Sequence, residues 1–307
     1  MKMWNLFLTK LQKSMRISGI FICVCILVLS LALFTSGCTS QTSTPKNTNV
    51  GTNSASNANN SHTLVLSGST TVLPIAAKAA EAFMTKNSNF DVQVTGGGSG
   101  VGVTAAGEGT ANIGMSSRDL NAAEMTKYPS LNVITIAKDG VVIIVNPVNT
   151  VNSLTLKNIA AIYNGTITNW KQLGGSDAPI VIVGRDSASG TRDYFNSAVM
   201  KNLTTAKTML EKNSNGAIQQ TIAQVPGSIG YVGLGYVDTT VKAVPLNVNG
   251  TLMNATVDSV KTLTYPLSRN LYFITKGQPS KDAKTFIDYI LSPEGQKIVA
   301  DVDYVPL

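Results

Sequence analysis

Residues 180–191 read IVIVGRDSASGT, and the order of residue types in this stretch decides the fold class. Ile180 to Val183 are apolar and β-branched, which predicts a buried strand. Gly184 to Ser189 supply turn-forming and hydroxyl side chains, and Thr191–Met200 reads as a helix. The same unit occurs twice upstream. LVLSGSTT (64–71) precedes a stretch in which Val72, Ala76, Ala79, Ala80 and Phe83 share one helical face, and VQVTGGGSG (92–100) precedes Val101–Ala106. Such a loop lies at the carboxyl end of a strand, where open α/β sheets bind ligands. The helix start that follows offers free N–H groups and a partial positive charge, which suit an oxyanion. For any one loop a plainer reading holds, with the hydroxyls as helix caps and glycine as a turn residue. Three such loops in one chain, one of them carrying Arg185 and Arg192, point to an anion site.

Further strands are predicted at Ile113–Met115, Val133–Ala137, Val141–Asn146, Ile229–Val232 and Leu271–Thr275, and helices at Leu156–Tyr163, Ala217–Val225 and Ala283–Ala300. Strands alternating with helices predict an α/β fold with a largely parallel sheet covered on both faces.

Composition narrows the chemistry. The 307 residues include one histidine, His62, in a polar tract, and three cysteines, Cys23, Cys25 and Cys38, all near the amino terminus. The body therefore has no thiol nucleophile, zinc cluster or disulfide, and no Ser-His-Asp triad. No Walker sequence occurs. No catalytic residue, metal or cofactor is expected. The net charge of +7 is concentrated in Lys2, Lys10, Lys13 and Arg16; beyond residue 37 there remain 20 Lys and Arg against 17 Asp and Glu, a net of +3. No basic run with interleaved aromatics supports nucleic-acid binding.

Ile17 to Phe34 is an uncharged apolar run of 18 residues that follows the four positive charges. It ends in TSGCTS (35–40), so residues 1–37 read as an export signal of the lipoprotein type, with Cys38 as the lipidated residue. The alternative is an uncleaved membrane anchor, since 18 apolar residues are just enough to span. Either reading places the body outside the cytoplasmic membrane, on its outer face. Residues 38–62, rich in Ser, Thr and Asn, cannot bury a core and read as a tether with a reach of roughly 25–30 Å. The remaining 245 residues suit two lobes.

Seven segments resemble, in order, the PstS-type phosphate-binding proteins of ABC phosphate importers. They are GSTTVLPIAAKAAEAF (68–83), GGGSGVG (96–102), IGMSSRDL (113–120), LTLKNIAAIYNGTITNW (154–170), GRDSASGTRDYF (184–195), PGSIGYVGLGYV (226–237) and YPLSRNLYFITKG (265–277). The resemblance implies a type II periplasmic-binding-protein fold with two crossover strands and phosphate in the cleft between lobes. Lobe one would be 63–143 plus 266–307, and lobe two 144–265. It also implies a monomer that delivers inorganic phosphate to the permease subunits of an ABC transporter.

The resemblance assigns phosphate contacts to Ser69, Thr70 and Thr71 in the first loop and Ser99 in the second. It assigns Arg185 as the charge from lobe two, with Ser189, Gly190 and Thr191 at the helix start. Ser117 and Arg118 join this set through the third motif. There the chain departs from the family: many members have Ser-Asp, whose carboxylate accepts the proton of hydrogen phosphate, where this chain has Ser116-Ser117. Ser187 replaces a second carboxylate, and Asp119, Asp186 and Asp193 are the nearby acceptor candidates. The alternatives left open are another tetrahedral oxyanion (sulfate, molybdate or tungstate) and, in a different class, a secreted phosphoesterase using a loop serine.

Overall fold

The computed structural model describes residues 62–201 and 203–307, and the readings of residues 1–61 as signal and tether lie outside them. The first lobe opens with β1 (His62–Gly68), α1 (Leu73–Lys86), β2 (Phe90–Gly96), α2 (Ser99–Glu108), β3 (Ile113–Ser116) and the short α3 (Ala122–Lys127). The long β4 (Leu131–Val145) leads into the second lobe, which holds α4 (Leu156–Tyr163), β5 (Val181–Arg185), α5 (Gly190–Phe195), β6 (Leu210–Lys212), α6 (Asn215–Gln224) and β7 (Ser228–Gly233). The short strands β8 (Lys242–Ala243), β9 (Leu246–Val248) and β10 (Thr251–Met253) follow, then α7 (Val257–Lys261). The chain returns through β11 (Ser268–Lys276) and ends with α8 (Lys281–Leu291) and α9 (Pro293–Asp301). Among the described residues no helix is long and apolar enough to cross a membrane.

The strands form one path, β2-β1-β3-β11-β4-β7-β5-β6, with β8 also on β4. Its two halves share β4, which pairs with β11 from Leu131 to Gly140 and with β7 from Val141 to Val145. The predicted α/β class is the observed one, but the sheet is more mixed than expected. Strands belonging to strand–loop–helix units pair in parallel (β1 with β2 and β3, β5 with β6 and β7), whereas β11 and β4 run antiparallel to their neighbours. The reason is topological: β4 and β11 carry the chain between lobes in opposite directions. The two strands expected at 133–137 and 141–146 are one. Lys138-Asp139-Gly140 does not break it, because Asp139 is buried and faces Arg269 in register on β11.

Each half has its own core. In lobe one, Ile75, Ala76, Ala79, Ala80 and Phe83 form the buried face of α1, and Phe83 meets Phe286 edge-on at 5.3 Å. Pro74 sits in the first turn of that helix, where a missing N–H costs nothing, and the Asn87 N–H closes its end on Phe83 O. In lobe two, Phe195 and Tyr231 stack at 4.1 Å with Tyr163 tilted against them, and the core also holds Trp170, whose indole N–H donates to Gly227 O at 2.8 Å. Burying each such ring contributes about 1.5–3 kcal/mol. These cores make each lobe a firm support for the loops at its strand ends.

Candidate functional site

The three loops predicted from the sequence join β1 to α1, β2 to α2 and β5 to α5, and all meet at the carboxyl ends of those strands. In the first loop Gly68 has φ +136°, and a Cβ there would fall 2.4 Å from Met115 O and 2.7 Å from Gly102 Cα. Only glycine allows β1, β3 and α2 to press together at this point. Ser69 Oγ accepts the N–H groups of Thr71 (3.2 Å) and Val72 (3.3 Å). Ser99 opens α2, and its Oγ accepts the Ser117 N–H at 3.0 Å. Ser189 caps α5 by accepting the Arg192 N–H at 3.2 Å. The N–H groups of Thr70, Ser99, Gly190 and Thr191 donate to no described residue. They are the orphan donors of loop turns and helix starts, and they come from both lobes.

The lobes are closed on one another at these loops. Thr71 Oγ1 lies 3.0 Å from Thr191 Oγ1, and the Gly100 N–H donates to Ala188 O at 3.1 Å. A Cβ on Gly190 would fall 2.1 Å from Ser99 Oγ. The Tyr236 hydroxyl donates to Thr70 O at 2.7 Å. Ser69, Thr70, Thr71, Ser99, Ser117, Arg185, Ser189, Gly190 and Thr191 are all buried, so the structure gathers nine of the ten sequence-named residues into one enclosed polar cluster.

Arg185, at the end of β5, donates from Nε to Lys212 O (3.2 Å) and from Nη2 to Asn213 O (3.0 Å), which leaves Nη1 without a partner among the described residues. Burial pulls its pKa below the ordinary arginine value, and neighbouring Asp186 opposes that pull. Its hydrogen-bond acceptors are neutral carbonyls, and among the described residues no carboxylate forms a salt bridge with it.

Arg118, the tenth residue, is placed differently. Its Nη1 and Nη2 grip the Glu124 carboxylate at 2.7 Å each, and its Nε donates to Asp193 at 2.7 Å. Its charge is matched by these two carboxylates, one on α3 and one on α5 of the other lobe. Of the acceptor candidates, Asp193 is thus spent on Arg118, Asp119 accepts from the Tyr272 hydroxyl, and Asp186 has a buried Oδ1 without a partner.

Three contributors escaped the sequence reading. Arg269 on β11 donates from Nε and Nη2 to Asp139 Oδ2 at 2.9 and 2.7 Å. Its Nη2 also reaches Thr71 Oγ1 (3.2 Å) and Thr191 Oγ1 (3.1 Å), while its Nη1 is buried without a partner. Asp139 accepts the Leu234 N–H at 2.8 Å. Burial pushes its carboxyl above the usual carboxylate range, against the pull of Arg269 and that N–H. Asn215, at the start of α6, donates from Nδ2 to Thr70 Oγ1 and Thr71 Oγ1 at 3.0 Å each. A charged residue inside an apolar strand, such as Asp139 or Arg269, is the signal that was available, because a buried charge requires a partner. Among the described residues no group of three or more His, Cys, Asp or Glu could hold a metal ion. The arrangement is one of converging donors, and the carboxylate that contacts Arg269 within it, Asp139, is already paired.

Residues 44–294 match the model of the PBP superfamily domain. The chain is 34% identical over 248 residues to the phosphate-binding protein PstS of Bacillus subtilis, which covers 80% of this chain and 81% of that one. The chain belongs to the PstS family. To the family member of Borreliella burgdorferi, also named phosphate-binding protein PstS, it is 32% identical over 80% of this chain and 90% of the other. Among solved structures, a chain from Clostridium perfringens with bound phosphate superposes with a TM-score of 0.75 at 38% identity, over 80% of this chain and all of that one. An ABC-type phosphate transport receptor from Vibrio cholerae gives 0.66 at 33% identity, again over 80% of this chain and all of the other. The two-lobed fold of the PstS family is therefore the fold described above.

Proposed function

We propose that the protein captures inorganic phosphate outside the cytoplasmic membrane and delivers it to the permease subunits of an ABC importer. The observation that carries this reading is the convergence of unspent N–H donors from both lobes, at Thr70, Ser99, Gly190 and Thr191, beside the guanidinium of Arg185. The relatives named as phosphate-binding proteins and the neighbour with bound phosphate support it. Residues 1–37 would direct export and Cys38 would carry the lipid that holds a monomeric body at the membrane. Two or more acyl chains are needed for stable tethering.

The physics is that of a hinge. An oxyanion that contacts donors of both lobes lowers the energy of the closed state only, so binding and closure are one equilibrium. A micromolar site requires about 8 kcal/mol. Hydrogen bonds to a charged group contribute about 1.5–3 kcal/mol each, so about six to ten well-aimed donors suffice after desolvation and ordering. The permease would read the closed form. Turnover is not part of the proposal: among the described residues the site hydroxyls contact other hydroxyls, amides and guanidinium groups, and none contacts a histidine or a free carboxylate that could act as a base.

Displacement of radiolabelled phosphate from the purified protein by sulfate, molybdate or tungstate tests the ligand. Displacement by phosphate alone at comparable concentration is expected, and equal displacement by another oxyanion would move the assignment to that anion. Release of product from an aryl phosphate would replace the binding reading with a phosphoesterase.

A further inference from the structure

The hydroxyl groups that line the site have hydrogen-bond directions fixed by residues outside the three loops. Asn215 Oδ1 accepts the Gly233 N–H at 3.2 Å, so its Nδ2 is the donor end. The two Nδ2 hydrogens go one each to Thr70 Oγ1 and Thr71 Oγ1. A hydroxyl oxygen has two acceptor lone pairs and one hydrogen. Thr70 Oγ1 takes the Nδ2 hydrogen and the Asn215 backbone N–H (3.4 Å), so its own hydrogen is left to donate, and no described residue receives it. Arg269 Nη2 gives one of its two hydrogens to Asp139 Oδ2 and shares the other between Thr71 Oγ1 (3.2 Å) and Thr191 Oγ1 (3.1 Å). With the Asn215 hydrogen as well, Thr71 Oγ1 has both lone pairs engaged, so its 3.0 Å contact with Thr191 runs from Thr71 to Thr191. Thr191 Oγ1 then receives the Thr71 hydrogen and its share of the Arg269 hydrogen, and no described residue accepts its own hydrogen.

We propose that Asn215 and Arg269 are positioning residues of the ligand site, which lock the hydroxyls of Thr70 and Thr191 as donors to a bound oxyanion. This rests on the phosphate reading and deepens it. Neither residue needs to touch the ligand. Arg269 is fixed by Asp139 at the crossover strands, so the direction of Thr191 on lobe two is set by a pair that belongs to the hinge. The cluster becomes a one-way relay, from Asn215 and Arg269 through Thr71 to Thr191, and from Asn215 directly to Thr70. On this side of the site a ligand oxygen meets hydrogens and no lone pairs. The pair Ser99 and Ser117, whose hydroxyls lie 3.3 Å apart with either able to donate, is the place where a ligand proton can be accepted.

Phosphate titration by calorimetry, in the wild-type background and in one carrying Thr70→Val with Thr71→Val, tests the assignment. In the wild-type background Asn215→Ala weakens phosphate binding by at least about tenfold, the loss of one well-aimed charged hydrogen bond. In the valine background, where there is no hydroxyl left to orient, the same change costs less than about twofold. A residue that merely packs would cost the same in both. Asn215→Ala within about threefold of wild type, or equal losses in the two backgrounds, would overturn the inference. Should Asn215→Ala lack a cooperative unfolding transition, Arg269→Lys in wild-type and Thr191→Val backgrounds gives the same reading, with a loss that vanishes when Thr191 has no hydroxyl and an equal loss overturning the assignment. Absence of phosphate binding by the wild-type protein would defeat the functional reading and this inference with it. Binding by the wild type with uncoupled variants defeats this inference alone.

Discussion

Replacing Arg269 by methionine leaves Asp139 as an unpaired carboxylate in a place with no solvent exposure. The side chains of Arg269 and Asp139 are 2% and 0% exposed, and two hydrogen bonds of 2.9 and 2.7 Å are lost together. Breaking a buried pair by removing one partner costs about 3–5 kcal/mol. For a domain the size of residues 62–307, each kcal/mol lowers Tm by about 2–4 °C, so a drop of about 6–20 °C is expected. The loss carries a pH signature. The folded-state pKa of Asp139 is raised by burial, so the folded protein binds that proton more tightly than the unfolded chain does. The stability from the proton is present below the unfolded value, about 3.9, and is lost as pH rises through the folded value. Arg269 is the largest influence opposing that rise, so removing it shifts the loss to higher pH. Arg269→Met is therefore expected to be more damaging at pH 8 than at pH 5, measured by urea unfolding in phosphate-free buffer. Adding Asp139→Leu recovers most of the stability at pH 8, because two apolar side chains then replace the pair. A loss below about 1 kcal/mol at pH 8, or the same loss at both pH values, would refute the reasoning.

Arg185→Ala is expected to weaken phosphate binding by about 1.5–3 kcal/mol, the contribution of one charged hydrogen bond, with cooperative unfolding retained. Gly190→Ala places a methyl group 2.1 Å from Ser99 Oγ across the lobes, so X-ray scattering should show no compaction on adding phosphate, and calorimetry a weakened site. Ser117→Asp sets a carboxylate beside Ser99, whose Oγ accepts the residue 117 N–H. It should shift competition toward phosphate over sulfate by at least about tenfold, since only phosphate has a proton to offer.

Local order was legible in the residues, and long-range pairing was not. The unit IVIVGRDSASGT contains its strand, turn and helix cap in twelve consecutive residues, so propensity and periodicity suffice to place Arg185, Ser189 and Thr191. The helical face of α1 was likewise visible as Val72, Ala76, Ala79, Ala80 and Phe83, and the helix starts one residue later, at Leu73. Asp139 and Arg269 are 130 positions apart and become neighbours only because β4 and β11 cross between lobes side by side. Asn215 meets Thr70 and Thr71 from the opposite lobe. The resemblance assigns Arg118 as a phosphate contact through the third motif. Its partners Glu124 and Asp193 lie on two different helices, and that arrangement is a property of the closed fold.

Calorimetric titration of phosphate into the purified, phosphate-stripped protein tests the central claim most directly. The account predicts one site per chain, a Kd in the micromolar range or tighter, and loss of that site in Arg185→Ala. No binding below millimolar phosphate would contradict it.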